Sequence, residues 1–103
     1  MSGRSTVIKL YSPRAVDNRG PLDDAPVLQE IEVSGVTPKS WRALKPLLQS
    51  SGVPAKHRSD RHHVSLIAFV ISVAPNSKHH VVLRQRVVIH PDGSLVDGYA
   101  TPY

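Results

Sequence analysis

Two stretches, His63-Val-Ser-Leu-Ile-Ala-Phe-Val-Ile-Ser-Val73 and His79-His-Val-Val-Leu-Arg-Gln-Arg-Val-Val-Ile-His90, decide the architecture. In the first, Leu66, Ala68 and Val70 alternate with Ile67, Phe69, Ile71 and Val73, so apolar residues fill both parities. Side chains on a strand point alternately to its two faces; this segment therefore reads as a central strand covered on both sides. The turn formers Pro75-Asn-Ser-Lys78 then lead into its antiparallel partner.

On that partner, parity separates chemistry. One face carries His80, Val82, Arg84, Arg86, Val88 and His90, and the other Val81, Leu83, Gln85, Val87 and Ile89. The second set reads as core. A tight turn at Pro75–Ser77 would place His62 opposite His90, Val64 beside Val88, Leu66 beside Arg86 and Ala68 beside Arg84.

Upstream, Val7–Tyr11 reads as a short strand with Ile8 and Leu10 on one face. The Gly-, Pro- and Asp-rich segment Asp17–Pro26 reads as a loop. Alternation returns at Val27–Val33, a half-buried strand with Val27, Ile31 and Val33 on one side and Glu30 and Glu32 on the other. Thr37-Pro38 has the form of a helix start, and Trp41, Leu44, Leu47 and Leu48 give the apolar face of a helix running to about Gln49. Pro46 should kink or end that helix, and Gly52 with Pro54 should stop whatever remains. Residues 55–61 read as a polar, basic connection, Pro91-Asp-Gly93 as a turn, Ser94–Val96 as a short edge strand and residues 98–103 as irregular.

The order β-β-α-β-β over residues 1–103 indicates a single α+β domain: a four- to five-stranded, mostly antiparallel sheet with one helix packed on a face. One helix covers one side only. The other side of the central strand needs a second shield, and a second copy, forming a homodimer through the sheet, is the economical one.

Composition narrows the function classes. With no cysteine, disulfides and thiolate zinc sites are excluded. The longest apolar run, Leu66–Ala74, is far short of the roughly 20 residues of a membrane-spanning helix. The first residues lack the apolar stretch of a secretion signal, so the expected location is cytoplasmic, without a membrane. Charge is segregated. Residues 1–33 hold four basic and five acidic groups, whereas residues 34–90 hold nine basic groups against Asp60 alone, together with all six histidines. Such a field favours anionic partners, either nucleic acid or an acidic protein.

Arg84 and Arg86 on one sheet face suit phosphate, because a guanidinium donates two parallel bonds to paired oxygens. With few aromatic residues, and none on that strand, contact with the nucleic-acid backbone is favoured over base stacking. The expected binding set is Arg84, Arg86, Arg58, Arg61, Lys56, His62 and His90. The bland alternative pairs Arg84 and Arg86 with Glu30 and Glu32 across neighbouring strands. Two further alternatives use the histidines. His62 and His90 beside arginine would do acid–base work on a phosphodiester, or His57, His62 and His90, with Asp92, would hold Zn²⁺ or Ni²⁺. No glycine-rich phosphate loop, nucleophile elbow or metalloprotease motif is present, and no cofactor is implied.

Overall fold

A computed structural model of the chain describes residues 5–17, 19–73 and 79–102. The elements are β1 (Ser5–Tyr11), a 3-10 turn (Pro13–Ala15), β2 (Val16–Asp17), β3 (Gly20–Pro21), β4 (Gln29–Val33), α1 (Trp41–Ser50), α2 (Val53–His57), β5 (Val64–Val73), β6 (His79–Ile89) and β7 (Leu95–Pro102). Five strands form one antiparallel sheet in the order β4-β1-β5-β6-β7, and β2 with β3 makes a separate two-stranded ribbon. The expected α+β architecture is present. No helix among the described residues is long and apolar enough to cross a membrane.

The helical layer covers one face. Ile8, Leu10, Ile31, Leu66, Ala68, Val70, Leu83, Val87, Ile89 and Leu95 pack with Leu44 and Leu48 of α1 and Val53 of α2. The cap is Ser40, whose Oγ accepts the Ala43 N–H at 3.4 Å, rather than Thr37. Thr37 instead shares a 2.8 Å hydroxyl bond with Thr6 on β1. Pro46 neither ends α1 nor restarts it; it sits exposed inside a helix that continues to Ser50. The chain turns at Gly52, whose φ of 75° suits a residue without a Cβ, and Pro54 helps to open α2 instead of stopping the chain. Six of the eight residues from Leu95 to Pro102 lie beyond the expected Ser94–Val96 edge strand, five of them in the segment read as irregular, yet all eight join β7.

Two differences reshape the second face. The first is a β-bulge. Near the turn, Ile71 pairs with Val81 and Val73 with His79, the register expected of a tight hairpin, although residues 74–78 lie outside the described set. Between Val70 and Ile71 the register shifts, with Val82 as the extra residue, so Ile67 faces Arg86 and Phe69 faces Arg84. Leu66 and Ala68, the expected neighbours of the arginines, lie on the opposite face. Leu83, Gln85, Val87 and Ile89 are buried as expected, but beyond the bulge Val81 packs with Phe69 and Val82 with the helical core.

The second difference is the shield. Tyr11, Ile67 and Phe69 form a core of their own, closed by Val16, Ala25 and Val27 from the segment between β1 and β4. Val27 therefore belongs to this side and not with Ile31 and Val33. Gly20, buried at φ 128°, lies over the Phe69 ring, and Tyr11 meets that ring edge-on with centroids 5.6 Å apart. The chain itself provides the cover that prompted the expectation of a homodimer. Burial of the central strand no longer requires a second copy.

Phe69 is fully buried at the centre of this small core. Phe69→Ala should destabilise the protein by about 3–5 kcal/mol, read as a shift of the urea midpoint. A loss within about 0.5 kcal/mol, the range of ordinary surface substitutions, would show that the 12–28 segment does not seal this face.

Candidate nucleic-acid interface

The cover closes only half of the second face. Along β6 it leaves Arg84, Arg86 and Val88 half-buried, next to the exposed Val96 of β7. Rows across the sheet show what surrounds the arginines. Glu30 lies beside Lys9, Lys9 beside Phe69, and Phe69 beside Arg84. Glu30 and Glu32 share this face, but β1 and β5 separate β4 from β6. At about 4.8 Å per strand the gap is about 14 Å, too wide for pairing. Cross-strand neutralisation of Arg84 and Arg86 by these glutamates is therefore overturned. Among the described residues the ion pair within 4 Å is Arg58–Asp60, at 3.1 Å.

Each arginine is held by something other than a carboxylate. The Arg84 guanidinium carbon lies 6.0 Å from the centre of the Phe69 ring, at the outer limit of a cation–π contact. Its Nε is buried and makes no hydrogen bond among the described residues. Arg86 lies over Gly98, where a Cβ would come within 2.7 Å of its Cγ and 2.8 Å of its Cδ. Gly98 is the extra residue of a second irregularity, since Arg86 pairs with Tyr99 but Val87 with Asp97. On the helical face Asp97 accepts a 2.6 Å bond from the buried Gln85. An isolated glycine within a strand is a sequence signal for such a feature, though here the strand itself went unread.

The other expected residues disperse. Lys56 is exposed on α2, in the helical layer. His57 turns into that layer as well; its Nε2 lies 2.8 Å from Gln29 Oε1, and Gln29 Nε2 donates to the Ser51 carbonyl. Burial, with Lys56 alongside, holds His57 below the usual histidine range. Arg58 donates to Asp60 and to the carbonyl of Pro91, pinning the α2–β5 connection to the turn after β6. Arg61 and His62 are exposed on that connection, and the His62 Nδ1 lies 3.2 Å from its neighbour's carbonyl.

The shifted register replaces His62 by His63. The His63 and His90 rings meet edge-on with centroids 4.2 Å apart, as the next pair beyond Val64 and Ile89. Imidazoles in direct contact leave no space for a phosphodiester between an acid and a base. His57 and His62 do not join them, and no cluster of three or more His, Asp or Glu suited to a metal ion exists among the described residues. The residues missed by sequence reading are thus His63, Phe69 beneath Arg84, and Gly98 beneath Arg86. No family model matches this chain, and no curated protein or solved structure matches it significantly.

Two consequences can be measured. Gly98→Ala should cost about 1–3 kcal/mol by crowding Arg86, and urea unfolding should show most of that cost disappear in an Arg86→Ala background. Equal costs in both backgrounds would refute the contact. For His57 the folded state disfavours the proton. Its contribution is present above the unfolded value near 6.5 and is lost as pH falls through the lowered folded value. Urea midpoints measured from pH 7.5 down to pH 5 should therefore fall less in His57→Gln than in the parent.

Proposed function

We propose that the protein binds the phosphate backbone of nucleic acid along the open half of this sheet face. Arg84 and Arg86 form the centre, and Arg61, His62 and His90 extend the basic surface toward the end of the hairpin. Arg58 contributes from its margin while tied to Asp60, and Lys56, on the helical layer behind, adds only to the long-range field. The observation that carries this reading is a pair of half-buried arginines on one strand face with, among the described residues, no carboxylate within 4 Å of either guanidinium. The net charge of +5 adds long-range attraction.

Backbone contact is favoured over base stacking for a structural reason. Phe69 does lie on the arginine face, but it is fully buried under the 12–28 segment and offers no ring to a base. We place this activity in the cytoplasm. A second reading, an acidic protein partner, is favoured by Val88 and Val96, which give the surface next to Arg86 an apolar patch.

The test is binding to single-stranded DNA, duplex DNA and RNA across a salt series, with Arg84→Ala/Arg86→Ala alongside. Affinity should fall steeply with salt. In the double variant the log–log slope should be shallower by about 1.4 for single strands or about 1.8 for duplex, for two lost phosphate contacts. An unchanged slope would remove these arginines from the site. Retention of a discrete acidic protein with no retention of nucleic acid would replace the first reading by the second.

A further inference from the structure

We propose that His63 and His90 form a two-imidazole site for a borderline divalent cation of the copper, nickel and zinc class, at the open end of the β5–β6 hairpin. The inference stands apart from phosphate binding by Arg84 and Arg86.

The first support is placement. These residues continue the β5–β6 ladder by one step past Val64 and Ile89, so their side chains leave adjacent strands toward one point. The backbone on the His90 side is fixed: its N–H bonds to the Ser94 carbonyl at 2.9 Å, and its carbonyl accepts the Gly93 N–H at 2.8 Å. The second support is ring geometry. Two imidazole nitrogens each about 2.0–2.1 Å from one ion place their ring centres about 4.5–5 Å apart. The observed 4.2 Å, with planes at 77°, is an edge-on contact at nearly that separation, and binding turns the rings so that one nitrogen of each faces the ion.

The third support is availability. Among the described residues no hydrogen bond occupies a ring nitrogen of His63 or His90, in contrast to His57 and His62. Asp92 is two residues from His90, and its carboxylate is held in place by the Ser94 N–H and hydroxyl at 2.9 and 2.7 Å. The nearby Arg58 is paired with Asp60. No third His, Asp or Glu completes the set among the described residues, so water fills the remaining positions. Neutral imidazole with water suits Cu²⁺, Ni²⁺ and Zn²⁺ better than hard cations such as Mg²⁺.

The test titrates the untagged full chain with CuCl₂, NiCl₂ and ZnCl₂ by calorimetry, alongside thermal melts. One ion per chain should bind. His63→Ala and His90→Asn should each weaken binding about tenfold or more, while His62→Ala and His79→Ala/His80→Ala leave it unchanged. With free metal a hundredfold above its dissociation constant, the parent should melt about 10 °C higher, and His63→Ala should lose that rise while melting normally without metal. Arg84→Ala/Arg86→Ala should keep the metal site, which separates its fate from that of the nucleic-acid reading. Absence of binding in the parent, an equal loss in His62→Ala or in the His79/His80 variant, or full binding in His63→Ala would overturn the assignment.

Discussion

The pairing of β5 with β6 is the constraint on which the rest of the structure depends. Side chains alternate along a strand, so a slip of one residue in this ladder would exchange the faces of every residue that it carries. Val82, as the single extra residue, absorbs such a slip within the strand. On one side of it the hairpin keeps the register of its turn. On the other, Ile67 and Phe69 come beside Arg86 and Arg84, and His63 comes beside His90. Without the bulge, continuation of the turn's register would set Leu66 and Ala68 beside the arginines. Charged groups would then compete with Leu44 and Leu48 for the helical face, at the cost of burying unpaired charge.

That register divides the molecule into three zones. The helical face is sealed by α1 and α2. The β1–β5 half of the opposite face is sealed by the segment between β1 and β4, through Val16, Ala25 and Val27. On the β6–β7 half Arg84, Arg86 and Val88 are half-buried and Val96 is exposed, and the arginines stand three strands from Glu30 and Glu32. Segregated charge in the sequence thus becomes segregated charge on one surface, with the acidic edge at β4 and the basic strip on β6.

How much of this was legible follows from which signals are local. Parity along β6 from Leu83 to Ile89 survives intact, because alternation is a property of the strand alone. The strands at Ile8–Leu10 and Glu30–Glu32 and the apolar face of α1 are equally local. The bulge is not: Val81 and Val82 are the same residue type, so nothing in composition says which one is extra. The shield was missed because Asp17–Pro26 has turn chemistry without a period, and its few apolar residues show their purpose only against Phe69. Pro54 was read as a breaker, yet beside Gly52 it is a helix opener. The histidine site moved from His62 to His63 by that same one-residue shift, which sequence periodicity cannot fix at a doubled residue.

Arg84 stands at the border between the sealed and open halves, and its environment bears on why it is there. Its Nε is buried near the Phe69 ring and has no hydrogen-bond partner among the described residues. A buried donor left unpaired costs about 1–3 kcal/mol. Packing alone would be served better at this position by an apolar or β-branched side chain, as Val81 and Val88 show further along the same strand. Among the described residues no carboxylate lies within 4 Å of the guanidinium to offset that cost. Within the proposed reading an oxyanion meets the outer guanidinium nitrogens of Arg84, and Arg86, two residues along the strand, takes the next negative group. The Nε, shut off from solvent, is as closed to an arriving phosphate as to water, so its unpaired state is a cost of seating the stem near Phe69 and not a vacancy for a ligand. The two guanidinium heads, more than the net charge, are what the proposed anion site rests on.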